Sequence, residues 1–230
     1  MSLPNHLAII PDGNRRWAKA HRFLPWQGHV EGVKRFLEIA EYTAKTEVNY
    51  LTFWAGSYDN LAKRSKEEVD VLFNLLAEEL SKPELMKKLT DNQTRFEVIG
   101  EWKEFARDGE LEQTLNKVQK ATKDFAKHHL TILFGYDGRR EMLAAIKKLQ
   151  EQGSEVSSES LRANLSTGSL PDVDFAIRTG GEPHWSAGFL MWQSANSQFY
   201  FTEELWPAFG IEQLKMALED FERRERRLGK

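Results

Sequence analysis

Short, continuously apolar runs alternate along this chain with longer segments of helical period, and no other feature restricts its fold as much. The runs are HLAII (6–10), YLTFWA (50–55), RFEVIG (95–100), LTILFG (130–135) and VDFAIR (173–178), with weaker candidates at FLMWQ (189–193) and FYF (199–201). Several lack the alternation of a half-solvated strand, so they read as strands covered on both faces of a largely parallel sheet. Between 66 and 81, Val69, Leu72, Leu75, Leu76 and Leu80 recur at helical intervals, and Val33, Phe36, Leu37 and Ala40 form a similar stripe within 29–46. Segments 110–127, 139–152 and 211–226 complete the helical set. This succession is the α/β pattern. On its own, each stripe reads as helix packed on sheet.

The chain has 230 residues with no internal repeat and no linker-like stretch, so one domain is expected. The Ser-rich GSEVSSES (153–160) reads as a loop closed by a helix N-cap. A net charge of −3 argues against nucleic acid as a partner, since such binders usually carry excess Lys and Arg. With no cysteine, disulfides and thiolate catalysis are excluded, and the six histidines lack the spacing of HExxH. The stretch MSLPNHLAII has no basic region followed by a long apolar core, and no run reaches the roughly 20 residues that span a bilayer. A cytoplasmic location is expected.

In open α/β sheets ligands bind outside the carboxyl ends of the strands. Those ends carry Asp12 after the first strand, Ser57, Asp59 and Asn60 after the second, Tyr136 and Arg139 after the fourth, and Arg178 after the fifth. In AIIPDGNRRWAKA (8–20), Gly13 permits close backbone approach, the following amides open a helix, and Arg15 and Arg16 add positive charge. Asp12 would repel an anion held there. One resolution is a divalent cation bridging carboxylate and phosphate oxygens, the ligands Mg²⁺ prefers; the other is that Asp12 only caps the helix. A second cluster, TGGEPHWSAGF (179–189), follows Arg178 with two glycines, His184, Trp185 and Ser186, and makes a second candidate oxyanion cradle.

The order of motifs resembles the cis-prenyltransferases, typified by undecaprenyl diphosphate synthase. HLAIIPDGNRRWA, GHVEG, LTFWAGSYDN, GYDGRRE, VDFAIRTGGE, FLMWQ, FYFTEELWPAF and RRERRLG span nearly the whole chain. The resemblance implies a homodimer of single-domain subunits, each with a central, mostly parallel six-stranded sheet flanked by helices and an apolar tunnel. It implies Mg²⁺-dependent condensation of isopentenyl diphosphate with an allylic diphosphate into a Z-configured polyprenyl diphosphate, releasing diphosphate. By resemblance, Asp12 is the Mg²⁺-linked catalytic carboxylate, and Gly13, Asn14, Arg15, Arg16, Trp17 and His29 surround the allylic diphosphate. Ser57, Tyr58, Asp59, Asn60 and Arg64 belong to the loop near the reacting carbon, with Asn60 as proton acceptor. Arg178, His184 and Ser186 resemble ligands of isopentenyl diphosphate, and Arg227 and Gly229 resemble an element reaching the partner subunit. Val33, Phe36 and Ala40 would line the tunnel, and the bulk of Phe36 implies a shorter product. Peripheral membrane contact is expected for an apolar product, although the sequence offers no obvious anchor.

The chain departs from the family pattern at several positions. Pro11 stands where Met is usual, Pro25 replaces a cation, Leu61 replaces a Trp, and GYDGR replaces NYGGR, bringing Asp137 toward the site. The position of a second basic ligand falls on His184, or on Trp185 if the extra residue in SAGF is placed earlier, and Gln198 stands where a glutamate usually helps hold Mg²⁺. Two alternatives therefore accompany regular chain elongation: a different or irregular prenyl coupling on the same fold, and a weakly catalytic prenyl-binding partner subunit.

Overall fold

In a computed structural model, residues 3–106, 109–186 and 188–224 are described. Six strands, β1 (His6–Ile10), β2 (Tyr50–Ser57), β3 (Thr94–Ile99), β4 (His128–Tyr136), β5 (Phe175–Arg178) and β6 (Gln198–Phe201), form one sheet in the order β3-β4-β2-β1-β5-β6. Every neighbouring pair is parallel. The helices are α1 (Asn14–Ala20), α2 (Pro25–Thr43), α3 (Tyr58–Lys63), α4 (Lys66–Ser81), α5 (Pro83–Asp91), α6 (Glu110–Thr122), α7 (Gly138–Glu151), α8 (Ser158–Asn164) and α9 (Ile211–Arg223). No helix among the described residues is long and apolar enough to cross a membrane.

The continuous apolar runs arise because successive side chains feed two cores. Leu7, Ile9, Phe53, Leu130, Ile132, Phe175 and Ile177 join the larger cluster with residues of α2, α4, α5, α6 and α9. Ala8, Ile10, Trp54, Leu133, Tyr136 and Ala176 join a second cluster closed by Leu170, Val173, Phe189 and Leu190. A period-2 backbone buried on both faces leaves no position for solvent-facing residues.

FLMWQ (189–193) is a correction to the expected strands: residues 188–196 form successive turns, and the sixth strand is β6. Phe189 and Leu190 are apolar because this turn-rich segment lids the second core with no side-chain exposure. The helix expected at 29–46 runs earlier, because Pro25 suits a first helical position and the Gln27 side chain accepts from the Leu24 amide at 2.8 Å. Ser157 caps α8 by accepting from the Ser160 amide at 3.1 Å.

The order of the strands creates the site. From β1 the chain crosses to β2 on one side, whereas β5 pairs with β1 on the other. A crevice therefore opens at the carboxyl ends of β1, β2 and β5, as at other points of strand-order reversal.

Candidate active site

Asp12 follows β1 at the centre of this crevice. Its Oδ1 accepts from Arg16 Nη2 and its Oδ2 from Arg178 Nη2, both at 3.1 Å. Its carbonyl accepts from Thr179 Oγ1 at 2.8 Å and from the Trp206 amide at 3.0 Å. The capping reading of Asp12 is thereby corrected: Gly13 occupies the N-cap of α1, at φ 115°, and no side chain caps that helix. A Cβ on Gly13 would lie 2.9 Å from the Leu205 backbone, so glycine meets both the left-handed conformation and a close approach. Gly180, at φ 91°, serves the facing loop, where a Cβ would come within 2.6 Å of Arg16 Nη2.

Arg178 ends β5 and is 5% exposed. Its Nη1 donates to the His184 carbonyl at 2.7 Å, while its buried Nε has no partner. Across the mouth, Ser57 accepts from the Asn60 amide at 3.0 Å and caps α3. Arg64, at the carboxyl end of α3, keeps a buried Nη1 without a partner. Its pKa is lowered first by burial, then by the charge of Arg15. His29 is pushed down to about 4, by burial first and then by Arg64 and Arg15, so it is neutral near pH 7. Buried donors without partners are costly in a folded protein unless a ligand completes them.

These groups rim a cavity of about 580 Å³. Five cations, Arg15, Arg16, Lys63, Arg64 and Arg178, line it against three carboxylates, Asp12, Asp59 and Glu79. Beyond the rim the wall is apolar, with Val33, Phe36 and Leu37 from α2, Leu72, Leu75, Leu76 and Leu80 from α4, and Phe53, Phe96, Leu130, Ile132 and Phe134 from the sheet. The α4 stripe, read from spacing as packing alone, is also cavity lining. The site is an anion-binding mouth over an apolar chamber.

A family model described as "Putative undecaprenyl diphosphate synthase" matches residues 10–229. The chain belongs to the undecaprenyl diphosphate synthase family of prenyltransferases. It is 36% identical over 239 residues to an isoprenyl transferase of Thermus thermophilus, covering 99% of this chain and 89% of the relative. It is 34% identical over 234 residues, with the same coverage, to a geranylgeranyl-diphosphate-specific tritrans,polycis-undecaprenyl-diphosphate synthase of Thermoplasma volcanium. Among solved structures, lavandulyl diphosphate synthase from Lavandula x intermedia, in complex with dimethylallyl diphosphate, superposes with a TM-score of 0.91 at 29% identity over 99% of both chains. A probable undecaprenyl diphosphate synthase from Campylobacter jejuni gives 0.80 at 29% identity over 100% of both.

For a member of the prenyltransferase family, most residues named from the motifs gather at one mouth: Asp12, Gly13, Asn14, Arg15, Arg16, His29, Ser57, Asp59, Asn60, Arg64, Arg178 and Ser186 all line the cavity. Others depart from expectation. Trp17 stacks on His21 at 4.1 Å, and Tyr58 donates to Glu104 Oε2 at 2.8 Å beneath the Arg140 guanidinium; neither lines the cavity. The His184 ring sits 3.4 Å from Glu182, outside the cavity, and only its carbonyl reaches Arg178. Asp137 accepts from the Arg139 and Arg140 amides and caps α7, away from the site toward which the motif had placed it. Gln198 pairs with Phe175, three registers below the Arg178–Phe201 pair, so within one chain it does not share a site with Asp12. Its buried Oε1 has no partner. Arg227 and Gly229 lie outside the described residues.

Sequence reasoning missed Thr179, Trp54 and Glu79. Trp54 lines the cavity with a buried, unpartnered Nε1, and Glu79 brings a carboxylate to the apolar wall. Glu79 lies between Leu76 and Leu80 of a stripe already recognised, and was the readable signal.

Proposed function

We propose that this prenyltransferase condenses isopentenyl diphosphate with an allylic diphosphate, extending a prenyl chain with Z double bonds and releasing diphosphate. The observation that carries the reading is the cationic mouth around Asp12 opening into an apolar cavity of about 580 Å³. That shape suits a diphosphate head and a prenyl tail held together.

The proposed roles follow from charge. Arg15, Arg16 and the unpartnered Arg64 donor receive the allylic diphosphate, whose negative charge grows as its carbon–oxygen bond ionises. Arg178 and Ser186 hold the diphosphate of isopentenyl diphosphate, so that its alkene meets the allylic carbon beside the apolar wall. Asn60 lines the same mouth but is a weak base, so released diphosphate or a water network shares removal of the final proton. The donor set is compatible with Mg²⁺: one carboxylate plus substrate phosphates and waters is a usual environment for that ion. Asp12 would hold it, and the ion would supply charge neutralisation at the leaving diphosphate. Gln198, which does not reach this mouth within the chain, is not part of that donor set. The reading extends to a homodimer, supported by β6, an edge strand with Phe201 40% exposed, and to a cytoplasmic site of action.

The test is incubation with Mg²⁺, labelled isopentenyl diphosphate and allylic primers of increasing length. A labelled prenyl product containing Z double bonds is expected; absence of product with every primer would reject the reading. A second reading, irregular coupling of two allylic diphosphates, is favoured by the likeness to lavandulyl diphosphate synthase, whose structure holds dimethylallyl diphosphate. Product formed from dimethylallyl diphosphate alone would select it.

A further inference from the structure

The turn between α1 and α2 leaves apolar surface uncovered. Phe23, Leu24 and Trp26 are 46%, 59% and 43% exposed, a concentration within four residues. The backbone explains their placement. Arg22 adopts φ 60°, the Phe23 amide returns to the Ala18 carbonyl at 2.8 Å, and Leu24 is extended before Pro25 starts α2. This sharp reversal leaves the aromatic and aliphatic side chains on an outer corner. Phe23 lies 5.9 Å from Trp17, which stacks on His21, so the corner rests on an aromatic shelf.

The charge around this corner runs against that of the whole molecule. Residues 14–30 contain Arg15, Arg16, Lys19 and Arg22 and no Asp or Glu, in a chain of net charge −3. Among the described residues, no carboxylate pairs with Lys19 or Arg22, both of which are exposed. A shallow basin is lined by Arg15, Arg16, Lys19, Arg22, Phe23 and Pro25, and Arg15 and Arg16 also line the substrate cavity. The basic, aromatic corner therefore adjoins the cavity mouth.

We propose that residues 19–26 are a membrane-docking surface that seats the cavity mouth against an anionic bilayer. Trp and Phe favour the headgroup boundary, Leu enters its apolar side, and Lys and Arg are drawn to anionic lipid. Several such groups acting together give reversible binding without a spanning segment. An apolar chain leaving beside Arg15 and Arg16 then meets lipid instead of water. The expectation of membrane contact named no surface; this corner supplies one, and the lipid measurement requires no turnover, so it stands or falls separately from the assigned chemistry.

The experiment is flotation of the full chain with vesicles of phosphatidylcholine alone and of phosphatidylcholine mixed with phosphatidylglycerol. Wild type should float with the mixed vesicles and not with the neutral ones, and added salt should release it. Leu24→Ser/Trp26→Ser and, separately, Lys19→Glu should each lower partitioning by roughly tenfold, with circular dichroism and turnover of a short water-soluble primer unchanged. No binding by wild type, equal binding to both vesicles, or wild-type binding by both variants would overturn the proposal. So would self-association lost in the Leu24/Trp26 variant without any vesicle binding, which would make the occupant a second copy of the chain.

Discussion

Asp12 is held by charge instead of by helix capping, and that distinction sets its mutational behaviour. Asn has the same shape and can still accept one hydrogen bond, so Asp12→Asn should keep the fold. It removes the negative charge that balances Arg178, whose side chain is 6% exposed, and that would hold Mg²⁺. Turnover should fall by roughly a thousandfold in protein that remains folded, read by steady-state kinetics with circular dichroism beside it, and the loss of the countercharge to Arg178 should lower the melting temperature. Asn60→Ala separates base from bystander: a large fall in kcat is expected if its amide handles the proton, and near-normal turnover would remove it from the mechanism. His6 offers an independent check on the core. Its Nδ1 donates to the Pro171 carbonyl and its Nε2 meets Thr52 Oγ1, while burial lowers its pKa from 6.5 to about 4. Between those values the unfolded chain binds the proton and the folded one does not. Stability should be full above about pH 6.5 and fall by roughly 3 kcal/mol as pH drops toward 4, from this group alone. Denaturant titrations across that range, with His6→Gln reducing the slope, would check it.

At the level of elements, α2 joins packing to function. Gly28 meets the Asn14 backbone so closely that a Cβ would lie 2.1 Å from its carbonyl oxygen. Gly28→Ala should therefore destabilise the α1–α2 contact by about 1–3 kcal/mol or more, whereas exposed Lys34→Ala should change stability by less than about 0.5 kcal/mol; denaturant midpoints compare them. Two turns onward, Phe36 packs 4.6 Å from Phe53 and lines the cavity. Phe36→Ala should lengthen the prenyl product by opening the wall, and an unchanged chromatographic profile would assign the limit elsewhere. The inner strands β1, β2, β4 and β5 were legible because burial on both faces removes polar alternation. The same logic misread 189–193, where apolar residues lid a core without pairing in the sheet. Neighbourhood in a motif also misled: Trp17, Tyr58 and His184 adjoin site residues in sequence, but their rings settle on other partners. The pairing of Asp12 with Arg178 spans 166 residues, a separation at which spacing carries no information.

Across the whole molecule, parallel strand order brings the ends of β1, β2 and β5 together, and α2 and α4 wall the chamber beneath them. The sheet thus supplies a rigid frame while its carboxyl-end loops carry the polar groups. The proposed dimer, if built on the β6 edge where Phe201 is exposed, should dissociate when Phe201→Glu introduces charge there; sedimentation equilibrium would detect the change. The central claim is that one mouth couples two diphosphates over an apolar chamber through Asp12. Incorporation of labelled isopentenyl diphosphate into an extractable prenyl product, measured with an allylic primer for wild type and Asp12→Asn side by side, tests it most directly. The account predicts Mg²⁺-dependent incorporation by wild type and almost none by the variant; no incorporation by wild type, or equal incorporation by both, would contradict it.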